Sequence, residues 1–221
     1  MSKATDAVAM PGVVVAPLRA GDRNRASGVL ARAFRDNPLN LAVIGAASSP
    51  ARRQRCNAVT MENLLRVAQG RGLVLGMHVG ERLGGVLVAT PPYAWPFPPP
   101  PLGGQLRALL VQGLRVAAGW RTAFEALEAR HPTEPHWYLG ILGVEPALQR
   151  RGLGRAALAA LQTRVDAAGL PAYLETDREE NLRLYGGAGF EVTEELDVLG
   201  AHIWCLRRPA RKAISPPTGL R

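Results

Sequence analysis

The 221-residue sequence predicts a single α/β domain. Three observations predict it. Apolar runs of strand length alternate with amphipathic runs of helix length from residue 13 to residue 208. Glycine and proline punctuate them at short intervals. One stretch, residues 142–155, carries a buried-strand pattern straight into a glycine-bearing turn that opens a helix. The length suffices for one domain with a sizeable core, and no internal repeat is visible.

Residues 13–18 (VVVAPL) read as an opening strand. Gly21-Asp22 starts a helical pattern through Val29, Leu30, Ala33 and Phe34 that stops before Pro38. Ser49 as N-cap, with Pro50 in the first turn, opens a second helix to about Ala68, which Gly70 to Gly72 end. Residues 73–79 and 84–90 form a strand pair around Gly80-Glu81-Arg82. Residues 91–101 are too rich in proline for a central strand or a helix interior. Their Tyr93, Trp95 and Phe97 either pack down as part of a stiff connector or rim a binding pocket. Between 105 and 130, Leu106, Leu110, Leu114, Ala117, Phe124 and Leu127 recur at helical spacing, with an interruption expected at Gly119.

Residues 136–144 are the next strand. Residues 152–168 form a helix with Leu153, Ala157, Leu161 and Val165 on its buried stripe, stopped by Gly169 and Pro171. A strand at 172–176, a short helix at 180–188 and an antiparallel pair at 191–197 and 201–207 complete the domain. Residues 1–12 are expected to be a flexible N-terminus and 209–221 a basic flexible tail. The domain itself spans 13–208, with a helical insertion at about 91–135.

The formal net charge is +9. Such a balance fits either nucleic-acid binding or a solvated arginine-rich surface with the excess at Arg207, Arg208, Arg211, Lys212 and Arg221. No long basic helix, zinc spacing or aromatic–basic interleaving supports the former, so no nucleic-acid partner is expected. The apolar runs are too short to span a bilayer, and the first residues lack the apolar core of a signal peptide. Cys56 and Cys205 are isolated, which fits a reducing compartment. A cytoplasmic location without a membrane partner is the expectation.

The turn at 149–155 has the makings of a phosphate cradle. Amides at a helix start have no intrahelical partner, and the helix dipole adds partial positive charge. Gly152 and Gly154 let an anion approach the main chain, and Arg150, Arg151 and Arg155 add full charges. A nucleotide P-loop is excluded, because no lysine followed by Ser or Thr is present. A dinucleotide turn is not excluded by spacing alone: Ala157 holds its third small position, and Glu175 and Asp177 lie near the distance of its acidic residue.

The segment Gln149-Arg150-Arg151-Gly152-Leu153-Gly154 matches the Q/R-x-x-G-x-G/A signature of the GNAT superfamily, the GCN5-related N-acetyltransferases. Leu142-Gly143-Val144-Glu145-Pro146 resembles the end of that family's fourth strand. Asn181, Tyr185, Gly189 and Phe190 resemble its N-x-x-x-Y-x-x-x-G-F segment. The resemblance covers residues 136–208. Trp137-Tyr138-Leu139-Gly140 together with Tyr173-Leu174-Glu175-Thr176 is similar to the branch of puromycin-type acetyltransferases.

The resemblance implies a mixed, mostly antiparallel central sheet with flanking helices and with the fourth and fifth strands splayed apart. It implies acetyl transfer from acetyl-CoA, as cosubstrate, to a primary amine, by direct attack in a ternary complex and without a metal. A small-molecule amine is favoured as acceptor. Neither cysteine lies in the motifs, so no acyl carrier is expected. The pantetheine arm would bond main-chain groups of Leu142, Gly143 and Val144, although Gly143 also reads as a bulge or a close-packing glycine. The pyrophosphate would meet the amides of Gln149, Arg150, Arg151, Gly152, Leu153, Gly154 and Arg155.

Tyr185 would be the general acid toward the coenzyme A sulfur. Asn181 would cap the following helix or bond the pantetheine. Gly189 would end that helix in a left-handed conformation, and Gly186-Gly187 weaken it by roughly 1 kcal/mol each. The base is open. Tyr138 holds the position where some members carry Glu or His, and tyrosine is a poor base. His136, two residues earlier on the same strand face, and Glu175 are the alternatives. Glu145 is expected to be exposed. A non-catalytic acyl-CoA-binding sensor or interaction module is the competing reading, and a homodimer is compatible with either.

Overall fold

The computed structural model describes residues 12–211. The N-terminal arm expected at 1–12 and the tail expected at 209–221 therefore lie outside the described residues, apart from Gly12 and 209–211. Seven strands form one sheet in the order β1-β2-β3-β4-β5-β7-β6. They are β1 (Val13–Pro17), β2 (Leu73–Val79), β3 (Arg82–Thr90), β4 (Trp137–Val144), β5 (Ala172–Thr176), β6 (Glu191–Val198) and β7 (Ala201–Arg208). Every neighbouring pair is antiparallel except β4–β5, which is parallel. The mixed sheet is the one expected.

Helix α1 (Arg23–Ala33) and α3 (Pro50–Ala68) cover one face of the sheet. There Leu30 and Leu65 meet Val86 and Val88 of β3. The other face takes α6 (Leu153–Ala168), whose stripe of Leu153, Ala157, Leu161 and Val165 is fully buried against β1 to β5. The helical period of that stripe, ended by Gly169 in a left-handed conformation, is why α6 was readable from its residues. Ser49 caps α3 as expected: its hydroxyl accepts from the Arg52 amide at 3.2 Å.

The expected layout is corrected at the insertion and extended after Pro38, where the chain forms α2 (Pro38–Ile44). Its N-terminal cap is supplied from far away. One Asp177 carboxylate oxygen accepts from the Leu39 amide at 3.0 Å and the other from Asn37 Nδ2 at 2.9 Å. The insertion forms α4 (Leu102–Gln112) and α5 (Leu114–Glu128), divided at Gly113, whose φ of +81° breaks the helix. Gly119 lies inside α5, where a Cβ would stand 3.2 Å from Val43 Cγ1 of α2, so the glycine serves helix packing. Of the residues at helical spacing in the insertion, Leu110 is 87% exposed, and Leu106, Leu114 and Phe124 are also exposed. Val116 and Ala123 are the buried positions of α5, packed on α2 and β7.

The short α7 (Leu182–Gly186) follows a single 3-10 turn, and Gly189 ends it at φ +81° with Phe190 N–H bonded to Tyr185 C=O. The two consecutive glycines fit a helix of only five residues. Arg208, expected to add to a solvated tail, is 2% exposed and pairs with Asp166 of α6.

Candidate active site

The site is set by where β4 and β5 stop pairing. They share only two residue pairs, Trp137↔Ala172 and Tyr138↔Tyr173, and then diverge. A register shift against β3 leaves Gly140 as the extra residue of a bulge, between Leu139 opposite Ala89 and Ile141 opposite Val88. The bulge is therefore at Gly140 and not at Gly143. Gly143 answers a packing need: a Cβ there would lie 2.5 Å from Leu30 Cδ2 of α1 and 3.0 Å from Phe34.

Past the bulge, hydrogen-bonding direction alternates along the strand. The Glu145 amide donates to Gly84 O of β3 at 2.8 Å. By alternation Gly143 also faces β3, while the main-chain groups of Leu142 and Val144 face the open side toward β5. Of the three expected arm-binding residues, two present their amides to the cleft and Gly143 does not. Gln149 turns back: its Nε2 donates to Val144 O at 3.2 Å and ties the turn to the strand.

The turn itself has the expected form. Arg150 (φ +61°) and Gly152 (φ +84°) both take positive φ, and Gly152 is the N-cap residue of α6 without any side-chain cap. Among the described residues, no amide from 150 to 155 donates to a protein group in a turn, loop or cap bond. Such a run of unpaired amides at a helix start is an anion-binding concavity. Arg150, Arg151 and Arg155 stand exposed around it. Leu148 and Leu153 seat the turn: a Cβ on Gly84 of β3 would lie 2.8 Å from each of them. Glu145 is not exposed as expected. At 7% exposure it accepts Arg32 Nε at 3.0 Å and Nη2 at 2.7 Å, locking α1 to the strand end.

On the α1/α3 face a cavity of about 180 Å³ opens beside the divergence. Trp95 and Pro96 of the proline-rich segment, Phe124 and Leu127 of α5, and Tyr138, Glu175, Glu128 and His131 line it. Trp95 stacks on His131 (4.7 Å between ring centres) and meets Tyr138 edge-on at 4.6 Å. The proline-rich segment thus serves both readings: Trp95 rims the pocket, while Phe97 packs down on the α1/α3 core. Glu175 projects from β5, and burial pushes its carboxyl up to about 7 while the Tyr138 and Tyr173 hydroxyls pull it back down. Tyr138 is held well above the ordinary phenol range by burial and by the Glu175 charge.

His136, the other candidate base, does not line this pocket. Its ring lies against Glu134 O (2.7 Å from Nδ1) and His131 Nε2 (2.9 Å from Nε2). The pocket's histidine is His131, which the sequence reading passed over; no motif contains it, and only its place after a helical insertion hinted at it. Asp177 caps α2 and Glu175 faces the pocket, so neither takes the ribose role of a dinucleotide turn. Asn181 makes no cap bond; its Nδ2 donates to Thr176 Oγ1 at 3.2 Å, joining the α7 segment to the end of β5. Tyr185 is 6% exposed, packs edge-on against Phe190 (6.2 Å) and is raised by burial and by the nearby Asp177 charge.

The segment 108–190, from the insertion through α7, matches the model of the acetyltransferase (GNAT) family. The sheet order, the divergent β4–β5 pair and the turn at α6 give the whole chain a GNAT-like fold around that matching segment. A histone acetyltransferase HPA2-related acetyltransferase from Corynebacterium glutamicum is similar at 20% identity with a TM-score of 0.66, covering 93% of this chain and 98% of that one. The ribosomal-protein-S18-alanine N-acetyltransferase of Escherichia coli is similar at 14% identity (TM-score 0.52, 95% of this chain and 99% of that one). A PaiA N-acetyltransferase from Thermoplasma acidophilum, solved in complex with coenzyme A, matches at 14% identity (TM-score 0.54, 89% and 98%). At these identities the likeness concerns the fold.

Proposed function

We propose that this protein moves an acetyl group from acetyl-CoA to a primary amine by direct attack in a ternary complex. One observation carries the reading: the cleft where β4 and β5 part joins a run of unpaired amides at its α6 end to a carboxylate-bearing pocket on the opposite face of the sheet. The first suits a pyrophosphate, the open amides of Leu142 and Val144 suit an amide-bearing arm and a thioester carbonyl, and the second suits an amine. The residues present therefore fit the cosubstrate.

Glu175 is the base in this reading. A carboxyl near neutrality accepts a proton from an ammonium without holding it irreversibly. His136 is set aside because its ring nitrogens are engaged elsewhere. The amide facing the cleft stabilises charge developing on the acetyl oxygen. Tyr185, protonated at all working pH values, is the proton source for the leaving thiolate. Asn181, bonded to Thr176, holds the α7 segment against β5. The test is calorimetry with acetyl-CoA followed by thiol release over a panel of amines, with mass spectrometry of the protein after acetyl-CoA alone. Binding plus amine-dependent thiol release and an unacetylated protein is the expected result. Binding without turnover on any amine would make this an acyl-CoA-binding module instead.

A further inference from the structure

The acidic side chains that line the acceptor pocket have no basic side chain opposite them. Glu175 and Glu128 are carboxylates, which accept only when ionised. The protonation of His131 follows from its neighbours. Glu134 O can only accept, so the proton on that 2.7 Å contact sits on His136 Nδ1. Its Nε2 lies 2.9 Å from His131 Nε2, so the two rings share one proton along that contact and hold each other in place. Burial, together with the neighbouring His136, pushes His131 down to about 4, so the ring stays neutral. The lining donors are neutral, the Tyr138 hydroxyl and the Trp95 indole N–H; Pro96, Phe124 and Leu127 are apolar, and no Lys or Arg is among the described residues that line the cavity.

A primary ammonium has three donors and no acceptor, so it complements this set. A carboxylate or phosphate on the ligand would meet like charge with no cation to offset it. We propose that the acceptor is a small primary amine with an apolar, preferably aromatic body and no acidic group, and that His131 is a specificity residue for it. The proposal rests on the acetyl-transfer reading of the same pocket.

The experiment uses the full chain and three amines: 2-phenylethylamine, phenylalanine, which differs from it by a carboxylate, and 1,5-diaminopentane, which lacks the aromatic body. Calorimetry measures amine binding without acetyl-CoA, and thiol release measures turnover. The expected kcat/KM for 2-phenylethylamine exceeds the other two by roughly 100-fold. Trp95→Ala and His131→Phe each raise the KM for that amine, about tenfold for the tryptophan, without moving the KM for acetyl-CoA. Equal or better turnover of phenylalanine or of the diamine overturns the proposed class and leaves acetyl transfer standing. Binding of 2-phenylethylamine with no turnover of any amine upholds the pocket and sinks the transfer reading. Neither binding nor turnover of it, with another amine acetylated, overturns the pocket alone; no binding and no turnover anywhere overturns both.

Discussion

Glu175 shows how a single buried carboxyl ties stability to pH. Its carboxyl sits near 7 in the fold against an ordinary 4.5. Between those values the folded state holds more protons than the unfolded chain, so this group's contribution to stability falls as pH rises through the window. Glu175→Gln is therefore expected to stabilise the protein by about 1–2 kcal/mol at pH 8 and by much less at pH 5, read from urea unfolding at both values. The same substitution should lower kcat roughly 100-fold and abolish the rise of kcat/KM with pH near 7. Tyr185→Phe should lower kcat about tenfold or more in single-turnover experiments while the calorimetric affinity for acetyl-CoA stays within a factor of about three. The sequence pointed to Glu175 and Tyr185 because each falls in a local pattern. It did not point to His131, because what makes that ring part of a site is its stacking on Trp95, thirty-six positions earlier in the chain.

At the scale of elements, periodicity and punctuation were sufficient where an element carries its own stop signals. Helix α6 and the β2–β3 pair came out with nearly the bounds expected. They failed where the deciding group is remote. Helix α2 exists because Asp177 satisfies its first amide and holds Asn37, and nothing in residues 34–45 announces that cap. Asp177→Ala should cost about 1 kcal/mol and loosen α2, seen as faster amide exchange at Leu39 and Leu41. In the insertion, Leu106, Leu110 and Leu114 keep helical spacing and point outward, because spacing alone does not say which way a stripe faces. The turn opening α6 invites a further check. Gly152→Ala places a Cβ on a left-handed residue and should cost about 1 kcal/mol while weakening coenzyme A binding several-fold by calorimetry.

For the molecule as a whole, the general layout was legible because two motif segments bracket the β4–α6–β5–α7 unit. Its last anchor was not. Arg208 closes β7, donates to Ala188 O at 3.2 Å and pairs with Asp166 of α6, so it fastens the strand to the helix and to the turn behind Tyr185. Its place in a basic-looking terminus hid this role. Removing only the anion strands a buried guanidinium, so Asp166→Ala should destabilise by about 2–3 kcal/mol, more than Arg208→Met, in chemical denaturation of the two variants. The two residue pairs between β4 and β5 have a consequence at this scale as well. Among the described residues they are the pairs that join a four-strand ladder to a three-strand one. A thioester-bearing guest lying in that gap would act as a splint, bridging both ladders, and saturation at a hundred times Kd would add about 2.7 kcal/mol of resistance to unfolding.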